Sequence, residues 1–379
     1  MRYTRVIPPV VLLAALSACT DQTPSFNPTP APTRPGQVVV IAGSPDNFAP
    51  PRDGEYAIRS SAQSDGGLAV DPATGSIYVR VFSGREKVIE RIERDGTITT
   101  LRVKNPGDQL AISSGTLWIM SSGKELQLSR MSLSDLQEER VLHGDEGRAV
   151  QIEDASGRRL DPKQLNKSWD SARFTIRGDG VPIIVASTGA LFEVPGDATL
   201  RAWEPEGYEA ALRKVAGKDD LHPTDVVAYG HRGLMVLGPR GLIRIPADGT
   251  ANAARFPATT RSLPPWTAVT PLRDGSALLL GGTSAFQRRP RPLLVRPDGR
   301  LELLPFGGPK WCDQFDGTLA AVASAEPGGL ARMPNGDYVL SDKNCGRIYR
   351  FRLPTTLNGT ASSLHQQPEP VPSTAFIAA

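Results

Sequence analysis

The chain has few of the residues that most often build reactive sites or cross a membrane. Its 379 residues include three cysteines, four histidines and 6% aromatic residues. No long apolar run follows residue 18, so we expect no transmembrane helix. The formal net charge is +3, and loss of Arg2 and Arg5 with a leader peptide would leave about +1. This balance excludes strong general attraction to nucleic acid, and we predict no nucleic-acid partner.

Familiar catalytic motifs are also missing. The sequence contains no GxSxG nucleophile turn and no GxxxxGK[ST] phosphate loop. The histidines occur with no HxH or HxxxH spacing, at His143, His222, His231 and His365. A zinc site would therefore have to be assembled from separate connecting segments.

The N-terminus has the three parts of an export signal. Arg2 and Arg5 form a basic region, an apolar stretch covers residues 10–18, and Leu16-Ser17-Ala18-Cys19 ends it. Small residues followed by cysteine resemble a bacterial lipobox, so we predict a signal peptide over residues 1–18 and diacylation of Cys19. Two or three acyl chains on one residue anchor a protein stably. An ordinary signal peptide with a chance cysteine is the alternative.

Residues 19–36 are rich in proline and threonine and poor in large apolar groups, which predicts an extended tether. Together with the lipid anchor, this tether places the protein in the bacterial cell envelope, outside the cytoplasm. The inner or outer membrane is left open by the sequence.

Cys312 and Cys345 remain after Cys19 is assigned to lipid. An even pair of cysteines in an exported protein favours a disulfide. Two free thiols or a thiolate metal site are the alternatives, although the pair has neither CxxC spacing nor an adjacent histidine.

A four-strand pattern organises the rest of the chain. In residues 66–101, short apolar or β-branched segments alternate with turn signals such as Pro72–Gly75 and Asp95-Gly96. The segments predict strands over 67–71, 77–81, 88–92 and 97–101. Four strands in about 40 residues are the size of one β-propeller blade, and the pattern recurs five more times.

The sixth unit lacks a fourth strand, whereas the strand-like segment 36–43 has no unit of its own. Pairing the two would close the ring and leave no open sheet edge. We therefore predict an all-β, six-bladed propeller of four-stranded antiparallel blades over residues 37–354, closed by the N-terminal strand. Residues 355–379 are predicted to be a loose tail, and we expect a monomer.

Extra residues lie between blades, which makes one face of the ring the elaborated one. These linkers cover residues 143–172, 204–224, 257–267 and 306–328. Loops on a rigid scaffold commonly carry function. The sequence EGYEAALRKVAGKDDLH in the second linker predicts the only helix of the chain.

Two parts of the sequence resemble the NHL-repeat family of six-bladed propellers. One is VVVIAG…RDGEYAIRSSAQSDGGLAVDPATGSIYV followed by VIERIERDGTITTL, and the other is GGLARMPNGDYVLSDKNCGRIYRF at 328–351. The likeness covers the first and sixth blades well, whereas the middle four share only the strand rhythm. The resemblance implies the fold. It also implies that the function is one of those found in such propellers, which include sensor domains, protein- or RNA-binding modules, and metal-dependent lyases or lactonases.

Acidic residues precede most of the innermost strands. Asp65, Asp108, Asp170 and Asp225 occupy this position, with Thr267 and Glu326 in the remaining blades. Carboxylates gathered at one channel mouth would suit Ca²⁺ or a cationic ligand. Alternatively, each aspartate accepts hydrogen bonds from the backbone of its own turn. The sequence predicts no other cofactor.

Four tryptophans fall in or beside the linkers: Trp169, Trp203, Trp266 and Trp311. Tryptophan is enriched in binding hot spots, so these residues are candidates for ligand contact. The alternative is that each fills the gap between adjacent blades. On balance the sequence favours a module that binds a protein, peptide or glycan through its linker-rich face. A metal-dependent lyase or lactonase at the channel mouth is the second hypothesis.

Overall fold

The computed structural model is an all-β ring of six blades. It describes residues 30–43, 52–60, 62, 64–83, 86–123, 126–143, 150–160, 169–196, 198–216, 221–256, 266–281, 292–305, 312, 315–323 and 325–357. The predicted lipobox, Trp311 and most of the C-terminal tail lie outside these residues. Each blade is a sheet, and in blades 1, 2, 4 and 5 the first strand is innermost and the others follow in chain order outward.

Blades 1 and 2 have the predicted four strands. Blade 1 contains β2 (Ser64–Val70), β3 (Ile77–Ser83), β4 (Glu86–Ile92) and β5 (Ile98–Leu101). Blade 2 contains β6 (Gln109–Ser113), β7 (Thr116–Ser121), β8 (Gln127–Ser132) and β9 (Glu138–His143).

Blade 3 is larger than predicted. Its four regular strands are β12 (Arg173–Ile176), β13 (Pro182–Val185), β14 (Leu191–Glu193) and β15 (Thr199–Ala202). The preceding linker adds β10 (Gln151–Glu153) and β11 (Arg159–Leu160), giving six strands. Strand β10 pairs in parallel with β15, and this pairing satisfies backbone groups at the outer edge of the blade. The prediction that residues 143–172 form only a linker was wrong for this hairpin.

Blades 4 and 5 again have four strands each. Blade 4 contains β16 (Asp225–Tyr229), β17 (Gly233–Gly238), β18 (Gly241–Ile245) and β19 (Asn252–Arg255). Blade 5 contains β20 (Trp266–Pro271), β21 (Ala277–Gly281), β22 (Leu293–Val295) and β23 (Leu301–Leu303).

Blade 6 joins the two ends of the chain, as predicted. Its strands from the inside outward are β24 (Pro327–Arg332), β25 (Tyr338–Asp342), β26 (Arg347–Phe351) and β1 (Val38–Ala42). Strand β1 is antiparallel to β26 and pairs Val38 with Phe351. The N-terminal strand therefore closes the ring.

The predicted helix is present, but it is not the only one. Helix α1 covers Tyr208–Ala216, within the stretch expected to be helical. A five-residue helix, α2, covers Leu319–Ala323 in the last linker, and a short 3₁₀ turn covers Ala57–Arg59. Apart from its first residue and Val322, α2 is alanine, so its formation depends on packing between blades 5 and 6 and has no amphipathic repeat in the sequence.

The two faces of the ring differ. The innermost strands begin on one face, here called the linker face, where the connections between blades also lie. They end on the opposite face, here called the turn face, which carries tight Asx-Gly turns. Gly96 (φ 84°) and Gly336 (φ 87°) adopt the positive φ that these turns need. Between blades, an apolar cluster of described residues fills each of the six interfaces.

Candidate functional site

The innermost strands of all six blades surround a central channel with a volume of about 730 Å³. Aliphatic side chains such as Leu110 and Val226 line its middle. Charged side chains cluster where the strands begin, on the linker face. We call this region the channel mouth and define it by Arg80, Asp108, Arg173, Asp225, Glu326 and Lys343.

Asp108 reaches the channel mouth, as its position in the sequence predicted. Its Oδ1 accepts a hydrogen bond from the backbone N–H of Ser122 at 3.0 Å, and its Oδ2 accepts one from the Ser122 hydroxyl at 2.6 Å. Both carboxylate oxygens are therefore bound within blade 2, in the manner of an aspartate that stabilises a local turn.

Asp225 also reaches the channel mouth and also bonds to backbone groups. The N–H groups of Val226 and Val269 donate to its two oxygens, each at 2.8 Å. The second bond joins blade 4 to blade 5. Burial raises the pKa of Asp225 to about 7, although both N–H groups and the charge of Arg173 oppose this rise.

The other members of the predicted acidic ring are dispersed. Glu326 and Thr267 line the channel. Asp170 is exposed in a turn before β12 and is absent from the described channel lining. Asp65 lies in β2, but its side chain is outside the described part of the structure.

Basic residues occupy the same mouth, which the sequence analysis missed because it considered only acids. The Arg80 guanidinium is buried and donates to the carbonyl of Gly107 in the neighbouring blade. Arg173 begins the innermost strand of blade 3, and Lys343 lies in the turn between β25 and β26. Basic residues at the starts of the innermost strands would have indicated Arg173, whereas Arg80 and Lys343 lie at other positions in their blades.

A metal centre is not assembled by the described side chains. Within the described ranges, no group of three or more His, Cys, Asp or Glu residues is close enough to hold an ion. The Ca²⁺ hypothesis stays a prediction that depends on Asp65, whose side chain is not described.

The three described tryptophans of the linkers lie at different blade interfaces. Trp169 is 5% exposed and contacts Phe192 between blades 2 and 3. Trp266 is 3% exposed, begins β20, and makes an edge contact with Phe256 between blades 4 and 5. Trp203 is half-buried, with the Arg177 guanidinium 4.9 Å from its ring centre. The three do not form one aromatic patch, so their role in ligand contact stays a prediction.

The predicted disulfide is confirmed. Cys312 and Cys345 are bonded, with their Cα atoms 5.3 Å apart. Cys345 lies in the same turn as Lys343, so the bond ties the last linker to a segment of the channel mouth. A disulfide indicates an oxidising compartment and therefore an extracytoplasmic location. No described helix is long and apolar enough to cross a membrane.

Comparisons with known proteins support the fold. The chain matches no protein-family model and no curated protein. It is similar in structure to a Bacteroides thetaiotaomicron protein of unknown function, with a TM-score of 0.56 and 13% identity over 83% of this chain and 75% of that one. It is also similar to an auxiliary nutrient binding protein from Bacteroides ovatus, with a TM-score of 0.53 and 9% identity over 83% and 76% of the two chains. At these identities the likeness concerns the fold alone.

Proposed function

We propose that the protein is a lipid-anchored, extracytoplasmic binding module that recognises a protein, peptide or glycan through its linker face. The observation that carries this proposal is the polar mouth of a channel of about 730 Å³ on that face. Concave sites of this volume with a few converging polar groups are typical of ligand sites. The resemblance to NHL-repeat propellers is compatible with a binding role.

The path of the chain supports the choice of face. Strand β24 begins at the channel mouth, and β25, β26 and β1 then alternate in direction. Strand β1 therefore starts on the turn face, and β26 ends there. The N–H of Gly36 donates to the carbonyl of Arg352 at 2.8 Å, which holds the two chain segments together on that face.

With Cys19 anchored in a membrane, this arrangement would direct the channel mouth away from that membrane. Eleven residue steps separate Cys19 from Pro30, where the described structure begins. An extended chain of that length reaches at most about 40 Å. The tether would keep the turn face near the membrane and leave the linker face open to ligands. The Bacteroides ovatus protein, described as nutrient-binding, is one example of a binder with a similar fold.

Two measurements test the two parts of this proposal. For the anchor, Cys19→Ser should release the protein from the membrane fraction, whereas Cys312→Ser should not. For the binding face, the full mature chain is immobilised either through its N-terminus or through a cysteine introduced at Asn344 on the linker face. Envelope glycan fragments and peptides of defined composition are then passed over both surfaces. Binding only when the linker face is free supports the proposal, and equal binding in both orientations contradicts it.

A further inference from the structure

Arg173 is a fixed cation at the channel mouth, and no acidic side chain among the described residues forms an ion pair with it. Its Nε donates to the carbonyl of Thr224 at 2.8 Å, and its Nη1 donates to the carbonyl of Ala172 at 3.1 Å. These bonds hold a half-buried guanidinium at the channel wall and leave Nη2 available. Asp225 is near enough for the charge of Arg173 to lower its pKa, yet the two form no ion pair.

The nearby acids are occupied by the protein itself. Both oxygens of Asp108 accept bonds from Ser122, and both oxygens of Asp225 accept backbone N–H bonds. These carboxylates are therefore poorly available to a cation in the channel. The available Nη2 of Arg173 can donate to a ligand carboxylate, and such charge-assisted bonds are about twice as strong as neutral ones.

The opposite side of the mouth carries a balanced pair. Glu326 and Lys343 belong to blade 6, three blades away from Arg173 in the six-bladed ring. The N–H of Lys343 donates to the carbonyl of Glu326 at 2.9 Å, so the two residues are neighbours of opposite charge. Neither side chain has a partner among the described residues. Arg173 thus lies across the channel from this pair and from the buried Asp342, whose Oδ1 accepts a bond from the N–H of Glu326 at 3.1 Å.

From this geometry we infer that the channel binds a small organic molecule that carries a carboxylate, with that carboxylate against Arg173. This inference rests on the proposed binding function and names the ligand chemistry. The channel volume of about 730 Å³ accommodates a molecule the size of one or two sugar rings or a short peptide. A sugar acid and an acidic peptide share the required group.

The test is calorimetric titration of the full mature chain in detergent with matched probes. In the sugar arm, D-galacturonate is compared with its neutral methyl ester. In the peptide arm, N-acetyl-glutamate α-amide, which carries one carboxylate, is compared with the neutral N-acetyl-glutamine α-amide. We expect the acid in at least one arm to bind ten times or more tightly than its neutral counterpart, and the arm in which it does so identifies the source.

Substitutions test whether Arg173 is the residue that binds the ligand carboxylate. Arg173→Gln should lower the affinity for the acid at least tenfold and make the acid and its neutral counterpart equivalent. Lys343→Gln should cost about threefold, because its charge is exposed. The matched control is Arg296→Gln, since Arg296 is a partly buried arginine outside the channel. If Arg173→Gln does not fold, the comparison of acid with neutral probes in the unaltered protein still tests whether the channel prefers a carboxylate.

Several results would overturn the inference. These are equal affinity for acids and neutral probes, an unchanged affinity in a folded Arg173→Gln protein, or no binding of any acid. If neutral glycans or peptides still bind only through the free linker face, the binding function stands and the ligand class is wrong. If nothing binds in either experiment, both proposals fail.

Discussion

Blades 6 and 1 meet where the ring closes, and they are stabilised in different ways. Blade 6 combines strands from both ends of the chain, is tied to the last linker by a disulfide, and buries Asp337 between two arginines. Blade 1 is continuous in sequence and buries Glu90 with no partner for its Oε1 among the described residues. The blade that lacks chain continuity thus has the additional bonds.

The two buried carboxyl groups make the contrast clear. Asp337 is fully buried, with Oδ1 2.7 Å from the Nε of Arg352 and Oδ2 2.9 Å from an Nη of Arg350. Glu90 is 1% exposed in β4, on the same side of the strand as Ile92, which packs between blades 6 and 1. Burial, together with the nearby charge of Asp53, raises the pKa of Glu90 to about 8.

Removal of the closing strand should have the largest effect. Deletion of Val38–Ala42 exposes the edge of β26 and removes Val38, Ile41 and Ala42, each 1% exposed, from two apolar clusters. We expect loss of cooperative thermal unfolding, followed by circular dichroism. Deletion of five tether residues, 24–28, is the control and should leave the transition unchanged. A normal transition without β1 would show that closure is dispensable.

Loss of the disulfide should have the next largest effect. Its ends are separated by 33 residues, for which the chain-entropy argument gives about 3–4 kcal/mol. Cys312→Ala with Cys345→Ala should lower the free energy of unfolding by this amount in urea titrations. Reductant should destabilise the unaltered protein similarly and leave the double variant unaffected. If reductant changes neither protein, the bond contributes nothing to closure.

Substitution of Asp337, the buried acid of blade 6, should have the third largest effect on stability. Asp337→Ala leaves Arg350 and Arg352 without their shared partner, and we expect a loss of about 3 kcal/mol in unfolding free energy. Asp298→Ala is the matched control, because Asp298 pairs with Arg300 at an exposed site and should matter little. Similar losses for the two variants would contradict the distinction between blade 6 and the surface.

Substitution of Glu90, the buried acid of blade 1, should have the smallest effect on stability, and that effect depends on pH. Glu90 in the folded protein holds its proton up to about pH 8, whereas in the unfolded chain it releases it near 4.5. The folded state therefore binds more protons between these values, so stability falls as pH rises through this window. Glu90→Gln should remove the contribution of Glu90, leave that of Asp225 below about pH 7, and stabilise the protein at pH 8 by on the order of 2 kcal/mol.

The control for this prediction is Glu86→Gln, an exposed acid in the same strand. It should keep the pH dependence of the unaltered protein. Stability profiles between pH 4 and 9 that coincide for the unaltered and Glu90→Gln proteins would show that Glu90 is not buried as a neutral acid.

Much of the fold could be predicted from the sequence because strand rhythm and Asx-Gly turns are local signals. The orphan strand at 36–43 was enough to predict closure, and the cysteine pair was enough to predict the disulfide. The hairpin of β10 and β11 was missed because a three-residue strand added in parallel has no repeat of its own. Helix α2 was missed because its position depends on contacts with distant blades.

The candidate site was less predictable, for a different physical reason. The positions of Asp108 and Asp225 in their blades were enough to predict that both lie at the channel mouth. They were not enough to predict which groups their carboxylate oxygens contact. Those partners, Ser122 and Val269, come from another turn and another blade. Likewise, the contacts of Arg173, which include no acidic side chain in the described part of the chain, are a property of the assembled ring.

The most direct test of recognition at the channel mouth is a crystal structure of the mature chain with D-galacturonate or N-acetyl-glutamate α-amide, whichever binds more tightly. The account predicts the ligand carboxylate within hydrogen-bond distance of Nη2 of Arg173, on the linker face. A ligand bound on the turn face or between outer strands, with the channel occupied by water alone, would contradict it.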